Sequence, residues 1–88
     1  MTAVKLLLVE DDAAQATLLS LELKRRGYQV EVSRNGEDAI ARAGQPFDVV
    51  VTDLKLGTVD GLSVIAAWKK VQPETEMLVI TGHGSIDS

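Results

Sequence analysis

The chain has 88 residues, 45% of them hydrophobic and 25% charged, which leaves room for one core and excludes disordered, collagen-like and low-complexity polymers. Thirteen Asp and Glu against nine Lys and Arg give a net charge of −4, which opposes direct contact of this segment with nucleic acid or an anionic membrane. There is no cysteine, so disulfides, thiolate metal sites and thiol nucleophiles are excluded and carboxylates are the chemistry available.

Residues 4–9 form a short, nearly unbroken apolar run, the pattern of a strand buried on both faces of a parallel sheet. Lys5 followed by Leu6-Leu7-Leu8-Val9 has the look of a signal peptide, but Glu10-Asp11-Asp12 cuts the run short of the about 7–15 apolar residues such a region needs. No stretch approaches the ~18 apolar residues of a membrane span, so a soluble, cytoplasmic protein without membrane contact is expected. From Asp12 the spacing turns helical: Ala14, Leu18 and Leu21, with Leu19 and Leu23 alongside, lead to Lys24-Arg25-Arg26 and Gly27. Acids before this helix and bases at its end complement its dipole, and Gly27 can adopt the left-handed conformation that closes it.

Tyr28, Val30 and Val32 alternate with Gln29, Glu31 and Ser33, a period-two strand with one wetter side, near a sheet edge. Asn35-Gly36-Glu37-Asp38 supplies a capping side chain and first-turn acids for a second helix of roughly two turns, ended by Gly44 and Pro46. Phe47 and Val49-Val50-Val51 then form a third strand that stops, like the first, at a carboxylate, here Asp53. Residues 54–59, with Gly57, read as a loop, and Asp60-Gly61 opens a third helix carrying Leu62, Val64, Ile65, Trp68 and Val71, closed by Lys69-Lys70 before Pro73. Met77-Leu78-Val79-Ile80 is a fourth buried-strand run that ends at Thr81-Gly82-His83-Gly84. Strands alternating with single helices call for right-handed parallel crossovers, so the fold class is α/β with an open doubly wound parallel sheet.

In such a sheet ligands bind outside the carboxyl ends of the strands, where this sequence puts Glu10, Asp11, Asp53 and Thr81. Three carboxylates on one edge repel unless a cation neutralises them, and all-oxygen ligation with few protein ligands fits Mg²⁺ retaining several waters. A carboxylate beside Mg²⁺ can also act as a nucleophile toward a phosphoryl group, because the metal reduces anion repulsion. A hydroxyl at Thr81 could hydrogen-bond the transferred group.

Taken in order, Leu7-Leu8-Val9-Glu10-Asp11-Asp12, Val50-Val51-Thr52-Asp53, Gly57-Thr58-Val59-Asp60-Gly61 and Val79-Ile80-Thr81-Gly82 resemble the receiver domain of two-component response regulators. The resemblance spans the chain and implies a flavodoxin-like sheet with strand order 2-1-3-4, residues 1–88 being the N-terminal part of one receiver domain. It implies Asp53 as phosphoacceptor, Mg²⁺ held by Glu10, Asp11, Asp53 and the backbone carbonyl of Lys55, and Thr81 as the hydroxyl that senses the phosphoryl group. It further implies a histidine kinase as donor and an inactive–active equilibrium shifted by local charge, with Asp53 modified rather than catalytic in an enzyme's sense. The stretch from Ile80 to the end is similar to nitrogen-regulation-type regulators, whose receivers control an ATPase and a DNA-binding domain, so a transcriptional output domain beyond Ser88 is expected.

The sequence also departs from that family. Gly57 stands where many receivers have proline, which loosens the loop without removing a ligand. The family's fifth strand, with its phosphoryl-pairing lysine, and its fifth helix have no counterpart here, and Lys69 and Lys70 fall at the wrong end of the sheet to substitute. An exposed apolar face and an unpaired edge are expected, and with them a homodimer or a domain-exchanged oligomer. Other readings are weaker. A phosphohydrolase with an aspartate nucleophile wants a second acid two residues on, and Lys55 is there. A dinucleotide-binding domain needs a G-x-G-x-x-G after the first strand, which is acidic instead. A receiver-like interaction module that no longer switches is left open by the missing lysine. His83 reads as a surface loop residue, Trp68 as packing, and Lys24-Arg25-Arg26 as a dipole complement rather than a nucleic-acid patch.

Overall fold

Three short polar side chains decide where the helices start. In the computed structural model of the chain, which describes residues 3–57 and 59–80, Asp12 accepts from the Gln15 amide at 3.0 Å, Asn35 from the Asp38 amide at 2.7 Å and Asp60 from the Ser63 amide at 2.9 Å. Each is an N-cap that satisfies one of the orphan donors of a first turn. They open α1 (Ala13–Arg25), α2 (Gly36–Ala41) and α3 (Gly61–Val71). Gly27, at φ +100°, takes the left-handed turn after α1 that its position announced.

Between the helices run β1 (Lys5–Val9), β2 (Gln29–Ser33), β3 (Val49–Asp53) and β4 (Glu76–Ile80). All pairs are parallel, in the order β2-β1-β3-β4, the order and class expected. The register places Leu7 opposite Val50, and Val50 opposite Met77. These side chains share one face of the sheet, where α2 and α3 pack together. The core lies there: Leu7, Val9, Val50, Ala39, Ala43, Phe47, Leu56, Val64 and Trp68 are buried in one cluster. Trp68 is fully buried, meets Phe47 edge to face at 5.9 Å, and donates its indole N–H to the Ala39 carbonyl at 2.8 Å. The packing role expected of it is correct, with the polar tip satisfied as burial requires.

Burial along α1 is decided by the fold, and one expectation, a buried fourth strand, is corrected. In α1, Ala14, Leu18 and Leu21 are exposed; Ala16 and Ser20 are buried, with Leu19 and Leu23 half-buried beside them. Both stripes have helical spacing, so hydropathy alone did not choose between them, and the one with small residues lets the helix settle on β1 and β2. β4 is not a buried strand: Leu78 is 50% and Val79 40% exposed, because β4 lies at the sheet edge, paired only with β3 among the described residues. No helix of the described residues is long and apolar enough to cross a membrane.

Candidate functional site

The parallel register of β1 and β3 brings two acids side by side. Val9 pairs with Thr52, so the next residues, Glu10 and Asp53, arrive together at the carboxyl edge. Asp53 is the last residue of β3 and is 3% exposed; Glu10 is 5% exposed. Asp11 stands exposed beside them. β2 fixes Glu10 from the other side, since the Glu10 amide donates to the Ser33 carbonyl at 2.9 Å. Its Oε2 accepts from the Asp12 amide at 3.2 Å.

Burial pushes the Glu10 carboxyl above its ordinary range, and the neighbouring Asp53 and Asp11 charges push it further, against the Asp12 amide, which pulls it down. None of the ion pairs among the described residues neutralises Glu10, Asp11 or Asp53; Lys5, Arg26 and Arg42 pair with Glu31, Glu22 and Asp38 instead. The site is therefore an acidic edge with two buried carboxylates that form no ion pair with a cationic side chain among the described residues.

The loop after Asp53 closes over this edge. The Lys55 amide points at Asp53 Oδ1 at 3.3 Å while its side chain is exposed. Leu56 is buried in the core, and the Gly61 amide returns to the Leu54 carbonyl at 2.9 Å. The Thr52 hydroxyl donates to the Asp53 carbonyl at 3.0 Å. Among the described residues no group of three or more His, Cys, Asp or Glu is gathered to hold a metal ion as it stands. Thr81 and His83 lie outside the described residues.

Arg34 was not singled out in the sequence. Its guanidinium donates to the Asp11 carbonyl at 3.2 Å, tying the end of β2 to the acidic edge. The available signal was its place just past a strand's carboxyl end, where sites of such sheets are built. Ser33 was likewise missed, since an alternating polar residue on β2 gives no hint that its carbonyl orients Glu10.

The chain matches the response regulator receiver domain family over residues 6–88. It is 37% identical over 82 residues to the transcriptional regulatory protein GlrR of Escherichia coli K12, covering 92% of this chain and 18% of that protein. It is 39% identical over 82 residues to the acid tolerance regulatory protein ActR of Sinorhizobium medicae, covering 92% of this chain and 42% of that one. A crystal structure of a response regulator from Burkholderia pseudomallei, with a phosphorylated aspartic acid, a calcium ion and citrate, superposes with a TM-score of 0.82 at 38% identity, covering 94% of this chain and 49% of that chain. The chain thus spans less than half the length of either of these two regulators. Fold, acidic edge and similarity agree: this chain belongs to the receiver domain family of two-component response regulators.

Proposed function

We propose that this receiver is a phosphorylation-switched signalling module in which Asp53 accepts a phosphoryl group from a histidine kinase in a Mg²⁺-dependent reaction. The observation that carries the reading is a carboxylate 3% exposed at the carboxyl end of β3, with Glu10 beside it and no ion pair to neutralise the two among the described residues. A charge so placed is costly unless something compensates it. The phosphorylated aspartic acid and the metal ion of the Burkholderia regulator support the same chemistry here.

The donor set suits a hard divalent cation. Glu10, Asp11, Asp53 and the Lys55 carbonyl are its proposed oxygen donors, and burial together with the Asp53 and Asp11 charges already disfavours ionised Glu10. With so few protein ligands an ion held there would keep several waters, the habit of Mg²⁺. Bound there, it would supply charge neutralisation for the transfer. In the transfer, an Asp53 carboxylate oxygen forms the O–P bond as the P–N bond to the donor imidazole breaks, and the imidazole nitrogen takes up a proton. The Lys55 amide holds the other Asp53 oxygen in position. Thr81 is proposed as the hydroxyl that senses the new group. The chain does not turn over a substrate of its own; Asp53 is modified, and the gain of charge shifts a two-state equilibrium. Its relatives are transcriptional regulators, which supports a transcriptional output, of the nitrogen-regulation type, in a cytoplasmic protein. The exposed edge of β4 supports self-association as a homodimer or by exchange of elements.

The test is the intact mass of the chain after incubation with Mg²⁺ and acetyl phosphate. A Mg²⁺-dependent phosphoryl adduct that Asp53→Asn abolishes is expected; an adduct that survives Asp53→Asn moves the acceptor elsewhere.

A further inference from the structure

The loop that follows Asp53 is short and doubles back on itself. Leu56 anchors it in the core, Gly57 turns it at φ +87°, and the Gly61 amide bonds the Leu54 carbonyl. A Cβ at Gly61 would run into the Asp53 carbonyl, so the start of α3 lies directly on the acceptor's backbone. Its other flank is set by a different element. Gly36, the buried first residue of α2, lies so close that a Cβ there would stand 2.7 Å from both Val59 Cγ1 and the Val59 carbonyl oxygen, and 2.8 Å from Val59 Cβ.

One of those atoms is backbone, so no rotamer of Val59 relieves the overlap. Either the loop or the start of α2 must withdraw by about 0.7 Å to reach ordinary van der Waals separation. The requirement is for space alone, because the positive-φ glycines are Gly27 and Gly57. The start of α2 is itself tied to the acidic edge. Asn35 caps it, the Ser33 hydroxyl donates to Asp38 Oδ2 at 2.6 Å, and the Ser33 carbonyl takes the Glu10 amide. Gly36 is thus where the wall carrying Glu10 meets the loop leaving Asp53.

We propose that Gly36 is a positioning residue for phosphoryl transfer: its bare Cα seats the acceptor loop against α2 and so sets the placement of Asp53 relative to Glu10. The proposal rests on the acceptor reading above. No acid, loop residue or metal donor is altered by changing it, yet the contact between the loop and the start of α2 must open.

Gly44 provides the matched control, since a Cβ there meets nothing within 4 Å. Gly36→Ala and Gly44→Ala of the 88-residue chain are compared by hydrogen exchange at the Lys55 and Gly61 amides and by the initial rate of the Mg²⁺-dependent adduct with acetyl phosphate. Gly36→Ala is expected to lose protection at both amides and to slow the adduct about tenfold or more, the scale of sub-ångström misplacement, at an unchanged folded fraction by circular dichroism. Adding Val59→Gly, which removes two of the three overlapping atoms, is expected to restore part of both. The proposal is overturned if Gly36→Ala behaves as Gly44→Ala does, or if its rate falls only as its folded fraction falls. Should Gly36→Ala not fold, Val59→Ala with Gly36 intact is expected to raise exchange at the same two amides, and unchanged exchange there overturns the proposal. If the unaltered chain takes no phosphoryl group while the exchange contrast holds, the acceptor reading fails and the seating of the loop by Gly36 stands.

Discussion

The two faces of the sheet are built to different standards. On the face of α2 and α3, Leu7, Val9 and Val50 lie under Val64 and Trp68, every one of them 0% exposed. On the face of α1, Leu6 and Leu8 are covered, but Val49 and Val51 are only half-buried, and Leu78, in register with Val51, is half-exposed. α1 packs on β1 and β2 and carries Leu18, 65% exposed, and Leu21, 55% exposed, outward. One face is a finished interior and the other an apolar surface with partial cover. Apolar area removed from water stabilises the first more than the second, where Leu6 and Leu8 are covered but Leu18, Leu21 and Leu78 stay in contact with water.

The largest effect that separates the faces is expected from Trp68→Ala. Deleting the indole leaves a cavity in the core and removes one of the two hydrogen bonds to the Ala39 carbonyl, which keeps the Arg42 amide, a cost of about 3–5 kcal/mol, a large part of the stability of any small domain. Leu18→Ala on the other face should cost within about 0.5 kcal/mol. Urea midpoints of the two variants measure the gap, and equal losses would break the comparison.

A second test sharpens it from the exposed side. Leu18→Lys with Leu78→Lys should leave the urea midpoint within about 0.5 kcal/mol of the unaltered chain while lowering self-association, read as the concentration dependence of the sedimentation coefficient. Unchanged association would move the sticky surface elsewhere.

The smallest effect concerns the polar seam of the covered face. The Ser33 hydroxyl and then the Arg42 guanidinium hold the Asp38 carboxyl below its ordinary 3.8. A depressed carboxylate stabilises the fold above its unfolded value and loses that contribution as pH falls through the folded one. Asp38→Asn should therefore be less stable than the unaltered chain at neutral pH, by about 0.5 kcal/mol because the side chain is half-exposed and screened, and the difference should close below pH 3.8. A gap that persists at lower pH would assign the loss to packing.

The element order could be read directly from the chain because each signal is local. Three buried-strand runs stop at polar residues, three caps stand where helices begin, and right-handed crossovers then allow few topologies. Glu10 and Asp53 could be read for the same reason, since a strand's last residue in a parallel sheet has only one edge to occupy. Which stripe of α1 would face the sheet could not, because Leu18 and Leu21 are as well spaced as Leu19 and Leu23.

Composition, periodicity and capping thus determined the α/β class, the strand ends and the acids gathered there, all of which depend on neighbours in sequence. Tertiary structure alone decided that Ser33 orients Glu10, that Arg34 reaches the Asp11 carbonyl, and that Gly36 abuts Val59. Those three contacts join β2 or α2 to loops 23 residues away or about as far. Their distances are set by how parallel strands twist and stack, a property of the assembled sheet that no short stretch of sequence contains.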